Sequence, residues 1–234
     1  MNNIDKIARF QLKDFRKSVM IYYTVIFTII LLMFITTRNS DNLGQSNMSG
    51  GTFIFMFILG LNCFKTAFKL MQANNITRKS FYIGNIIALL STSLVVSFID
   101  SVLNRVLKQI VPYAGNFEQI FGNQSFFGDF IWTFSLLFFA MTLGWMITMI
   151  YYRSNSIAKI LVSISPVFLI VTFGYIDRIN SGALSRWMFD SFMKTMGLYG
   201  GNSNFYVGIF SFLIATLIIL IPNILLMNKA PIKD

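Results

Sequence analysis

Six stretches of about 20 mainly apolar residues dominate this chain, and a helix of that length crosses the roughly 30 Å hydrocarbon core of a bilayer. They cover approximately residues 19–37, 51–71, 81–102, 126–152, 157–176 and 205–227. Lipid offers no partner to a free N–H or C=O, so each stretch is expected to close its hydrogen bonds within a helix. The fold class that follows is all-α, a polytopic membrane protein with a single transmembrane domain over 1–234. Only 12% of the residues are charged, about half the share in a soluble domain, which leaves little material for a second, water-soluble unit.

The second span is the least regular, with Lys65 and Lys69 inside its window. Counted from Gly51 at about 1.5 Å per residue, they lie about 21 and 27 Å along the helix, far enough for both to reach the opposite interface. They are expected to mark the end of the membrane section, with the helix running on into water.

The net charge of +10 arises from 19 Lys and Arg against 9 Asp and Glu. In a soluble chain that excess would suggest nucleic acid; here it sorts by segment. With a cytoplasmic N-terminus, 13 cations fall inside (Lys6, Arg9, Lys13, Arg16, Lys17, Lys65, Lys69, Arg78, Lys79, Arg153, Lys159, Lys229 and Lys233) and 6 outside (Arg38, Arg105, Lys108, Arg178, Arg186 and Lys194). The positive-inside rule then places both termini in the cytoplasm. The apolar run after the basic N-terminal region is too long for a secretory h-region and is expected to remain as the first span. The expected location is the cell (plasma) membrane, with membrane lipid and not nucleic acid as a partner.

Several chemistries lack their residues. The chain has no histidine, one cysteine (Cys63) and one glutamate (Glu118), so it offers no imidazole base, no soft metal site and no inward cluster of paired carboxylates. No G-x-x-x-x-G-K-[ST] occurs in it, so a P-loop ATPase is not encoded. An enzyme is not expected, and no catalytic or metal residue is assigned.

Outside the spans, residues 2–18 are two-faced at about 100° per residue, with Ile4, Ile7, Ala8, Leu12 and Phe15 opposite Lys6, Arg9, Lys13, Arg16 and Lys17. Such a helix lies in the interface with its cations among lipid phosphates. Inside the spans, Ser93, Ser97, Asp100 and Asn104 share one face of the third helix, and Asn62, Lys65, Thr66 and Lys69 share one face of the second. A polar row is unfavourable in lipid, so both are expected to face protein or water. Helix packing is one reading; a substrate path or subunit interface is the other. Asp100 and Asp129 fall toward outer helix ends, where Arg105 or Lys108 can answer them, and not at the midplane where ion coupling is usual. Pro166 is expected to kink the fifth span. Of the longer outer segments, 104–124 is turn-rich, whereas 177–201 carries Trp187, Phe189, Phe192 and Met193, suited to a short re-entrant or interfacial helix.

The inner loop 72–82 reads QANNITRKSFY. Asn74 and Asn75 are able to stop one helix and Thr77 to cap the next. Arg78 and Lys79 then stand in the first turn, where the helix dipole disfavours cations. They answer some other demand, either inner-leaflet retention or a docking surface for an acidic partner.

Six spans, cytoplasmic termini, an amphipathic N-terminal helix, a basic inner loop after span two and a long amphipathic outer segment before span six resemble the permease subunits of ABC-2-type ABC transporters. The local match is segment 74–82 (NNITRKSFY), which is similar to the family's short loop where Thr-Arg-Lys or Ser-Arg-Lys follows a turn and precedes an aromatic; Asn75 stands where the family often has Gly. Size and layout are similar to those of Gram-positive bacterial exporters of amphipathic or antimicrobial peptides, including phenol-soluble modulins.

The resemblance implies that 2–18 is a connector helix, that Asn74, Asn75, Thr77, Arg78, Lys79 and Ser80 contact an ATP-binding subunit, and that 177–203 is an outer re-entrant element. It also implies a second permease copy, in a homo- or heterodimer, and two ATP-binding subunits holding ATP and Mg2+. Two other classes fit the same chain: a non-transporting sensor or immunity protein that binds a peptide, and an ion-coupled secondary carrier.

Overall fold

The computed structural model describes residues 3–37, 49–110, 115–122, 125–199 and 202–228. Its elements in order are α1 (Asn3–Thr37), α2 (Ser49–Asn62), α3 (Lys65–Ala73), α4 (Arg78–Ile110), α5 (Asn116–Phe121), α6 (Phe126–Arg153), α7 (Ser156–Ile179), α8 (Ala183–Thr195), the strands β1 (Leu198–Tyr199) and β2 (Asn202–Ser203), and α9 (Phe205–Asn228). The two short strands pair antiparallel, Leu198 opposite Ser203.

Among the described residues, five segments are long and apolar enough to cross a bilayer: Asn3–Leu32, Gly50–Ala73, Arg78–Gln109, Phe126–Arg153 and Phe205–Asn228. A sixth exists if Ile157–Ser165 and Val167–Ile179, inclined at 42°, form one bent span. The bend falls between Ser165 and Val167.

Two segments differ from the sequence expectation. First, α1 runs unbroken across the junction of its amphipathic and apolar parts, so 2–18 is not a separate helix. Its 35 residues extend roughly 50 Å, more than the full thickness of a bilayer of about 40–45 Å. The apolar face of its N-terminal half is covered by protein: Ile7, Ala8, Gln11 and Phe15 are buried. Ile7 approaches Gly84 of α4 so closely that a Cβ there would meet it at 2.8 Å. Farther along, Met20, Ile21, Val25, Phe27, Leu31 and Leu32 are exposed, as lipid-facing residues are. Second, the Gly50–Ala73 segment is interrupted within its length: α2 ends at Asn62 and α3 begins at Lys65, with a two-residue break, an elbow, at Cys63 and Phe64.

The most central helix is α6, which packs on α2, α4 and α9. Its crossing with α2 is made by glycines. A Cβ on Gly60 would stand 2.2 Å from the Met141 carbonyl oxygen, and one on Gly144 would stand 2.4 Å from that of Phe57. With no hydrophobic effect between helices in lipid, such close backbone approach is what gives dispersion its strength. A large apolar cluster around Phe64, Phe68, Phe81 and Trp145 joins α1, α2, α3, α4 and α6 at one end. A smaller one joins Phe117 and Phe121 of α5 to Trp132 and Ile209 at the other. By contrast, no described side chain of α7 or α8 is buried.

Candidate functional site

A break inside a span frees carbonyls that lipid cannot serve, and neighbouring helices must serve them instead. At the elbow, Thr148 Oγ1 of α6 donates to the Leu61 carbonyl at 2.6 Å. Gln11 Nε2 of α1 donates to the Cys63 carbonyl at 2.7 Å and to Asn85 Oδ1 of α4 at 2.9 Å. Asn85 Nδ2 in turn reaches Cys63 Sγ at 3.8 Å. Phe64 stacks on Phe68 with ring centroids 4.8 Å apart and meets Phe81 and Tyr152 edge-on. The elbow is thereby tied to α1, α4 and α6. Beyond it, α3 buries Ala67, Phe68 and Met71 and exposes Lys65 and Thr66.

The loop that follows folds as its residues direct. Asn74 ends α3, its N–H shared between the Leu70 and Met71 carbonyls. Asn75 has φ of 55°, in the left-handed region that suits glycine and that asparagine tolerates best among the rest. Ile76 turns into the core. Thr77 Oγ1 accepts the Ser80 N–H at 3.2 Å and donates to the Ser80 hydroxyl at 2.9 Å, which caps α4.

The two cations then part ways. Arg78 donates to the carbonyl of Asn228, the last residue of α9. Misplaced with respect to the dipole of α4, it is well placed at the negative end of α9. Four residues on, Tyr82 donates to the Leu220 carbonyl of the same helix at 2.8 Å. Lys79 is exposed. Lys65 of α3 and Lys6, Arg9, Lys13, Arg16 and Lys17 of α1 are exposed as well, and with Lys79 they make a basic face that runs from the start of α4 along the N-terminal half of α1. Three elements meet there: the N-terminal half of α1, α3 and the start of α4.

The two polar rows have different surroundings. Ser93, Ser97 and Asp100 are buried within the chain. Ser93 Oγ reaches Met141 Sδ at 3.5 Å, Ser97 Oγ bonds the Leu94 carbonyl at 3.0 Å, and Tyr23 of α1 donates its hydroxyl to Asp100 Oδ1 at 2.8 Å. The Ser93 and Asp100 contacts tie α4 to α6 and α1 while that of Ser97 stays within α4, and the partner of Asp100 is a tyrosine where Arg105 or Lys108 is the sequence expectation. Asn62, Lys65 and Thr66 are exposed, Asn62 Nδ2 donating back to the Ile58 carbonyl at 2.9 Å. The structure does not bring the two rows together.

At the far end, Asp129 Oδ1 accepts the Thr133 hydroxyl at 3.2 Å, Lys108 pairs with Glu118, and the Arg105 guanidinium lies 5.2 Å from the Phe126 ring centroid. The segment with Trp187, Phe189 and Phe192 is helical as expected, and exposes all three. Asp177 caps it by accepting the Ser185 N–H at 2.8 Å. Arg38, Lys229 and Lys233, and parts of the outer segments (111–114, 123–124 and 200–201), lie outside the described residues.

The residues missed by pattern reading are Gln11, Asn85 and Cys63. One signal for them exists: Gln11 sits in the middle of an otherwise apolar face formed by Ile4, Ile7, Ala8, Leu12 and Phe15. Among the described residues, no group of three or more His, Cys, Asp and Glu could hold a metal ion. No protein-family model, curated protein or solved structure matches this chain.

Proposed function

We propose that this chain is the membrane-spanning permease subunit of an ATP-driven exporter, with six spans, both termini in the cytoplasm of a bacterial cell, and a separate ATP-binding subunit as its motor. The observation that supports this reading is the basic face shared by α1, α3 and α4, wired to the elbow by the side chain of Gln11. A motor that closes against the loop 72–80 and the N-terminal half of α1 pushes on both sides of the elbow at once. The bonds to α4 and α6 carry that displacement into the spans. Two permease copies and two ATP-binding subunits form the working unit, with ATP and Mg2+ in the latter. The cargo is an amphipathic substrate, a peptide in the reading that the sequence resemblance supports; exposed Met and Phe side chains suit such adaptable apolar contact.

The test is co-expression with a candidate ATP-binding subunit and reconstitution of both in vesicles. ATP-dependent movement of an amphipathic peptide is the expected result. An active ATPase that moves no peptide overturns the peptide assignment, and peptide binding without any ATP-binding partner favours the sensor or immunity reading.

A further inference from the structure

At the end opposite the basic face, α4, α5 and α6 enclose a cleft of about 440 Å³ lined by Asn104, Arg105, Lys108, Glu118, Ser125 and Asp129, among others. Its two cations and two carboxylates cancel in formal charge. Lys108 and Glu118 pair with each other, while Arg105 lies over the Phe126 ring and within electrostatic reach of Asp129. A simple anion or cation would leave this cleft charged, whereas a zwitterion preserves its balance.

Depth narrows the class. Arg105 lies 27 residues beyond Arg78, roughly 40 Å along α4, which is the separation of the two headgroup layers of a bilayer. Towards the membrane interior, Val95, Phe98 and Val102 are exposed on the face of α4 that carries Arg105. Phe98 meets Phe126 and Phe130 of α6 edge-on, each with ring centroids 6.1 Å apart. A charge-balanced polar cleft therefore stands over an apolar aromatic seam.

We propose that this cleft holds the headgroup of a phospholipid bearing a primary ammonium, with the phosphate on Arg105, the ammonium on Asp129 and an acyl chain along the Phe98 seam. A quaternary ammonium would want an open aromatic face, and the Phe126 face is taken by Arg105. The proposal stands apart from the export reading.

The test is native mass spectrometry of the full chain released from detergent with equal amounts of phosphatidylethanolamine, phosphatidylcholine and phosphatidylglycerol of the same chain length. The ethanolamine lipid is expected to be retained about tenfold over the others, and to be lost by a similar factor in Arg105→Gln and Asp129→Asn but not in Arg186→Gln. Equal retention of the three lipids, or preference for the glycerol lipid, overturns the proposal in the unaltered protein, whether or not the variants fold. Folded variants that keep the preference overturn it too. Glycerophosphoethanolamine, which lacks the chains, is expected to compete only weakly. If it binds as tightly as the lipid, the seam plays no part and the lipid assignment falls.

Discussion

Arg78 and Lys79 are neighbours in sequence with different surroundings, and substitution separates them. Arg78→Ala is expected to cost about 1 kcal/mol of stability, since it removes a charge-assisted hydrogen bond at a partly exposed helix end; a denaturant titration in detergent micelles measures it. Lys79→Glu is expected to leave that titration within about 0.5 kcal/mol of the parent, and to abolish co-purification of the proposed ATP-binding subunit. If assembly and stimulated ATPase activity survive Lys79→Glu, the basic face is a topology signal alone. Gln11→Leu strips the Cys63 carbonyl and the Asn85 amide of a buried partner and is expected to cost about 2–3 kcal/mol in the same titration. The misfit of Arg78 with its own helix was legible in the sequence. Its partner was not, because Asn228 lies 150 residues away and nothing local points to it.

For whole elements, the helical periods were legible and the surfaces that cover them were not. The apolar face of α1 can be read from residues 4 to 15, but an apolar side chain looks the same whether lipid or α4 covers it. The elbow was hidden for a related reason. Residues 51–71 contain no proline, and the glycines Gly51 and Gly60 do not mark the break; what permits it is the set of partners that Thr148 and Gln11 bring from other helices. Two expectations belong to this scale. Gly144→Ala puts a methyl group where the Phe57 carbonyl stands, so α2 and α6 must separate, at a cost of about 1–3 kcal/mol; unfolding in mixed micelles reads it. Cys63, the single thiol and 2% exposed, is expected to resist maleimide in the bilayer and to react once the protein is denatured.

At the scale of the whole molecule, that silent thiol makes one added cysteine at a time a clean measure of the proposed topology. On intact cells a membrane-impermeant maleimide is expected to label Trp187→Cys and to spare Lys79→Cys; the reverse pattern inverts the chain. The helicity of the apolar segments could be read from length and composition, because each carries its own signal, whereas the count of six expected from the sequence stands, among the described residues, at five, or six with the bent pair of α7. The hub role of α6 could not be read, since a buried Trp132 or Trp145 does not name its neighbours. One further consequence lies in time. The bonds from Arg78 and Tyr82 to α9 join the start of a helix made early to the end of the last one described. A ribosome adding about 5–20 residues per second takes roughly 8–30 s to cover the 150 residues between Arg78 and Asn228. For that interval every nascent copy carries α4 without its latch, so the latch forms only after all the intervening helices have been made.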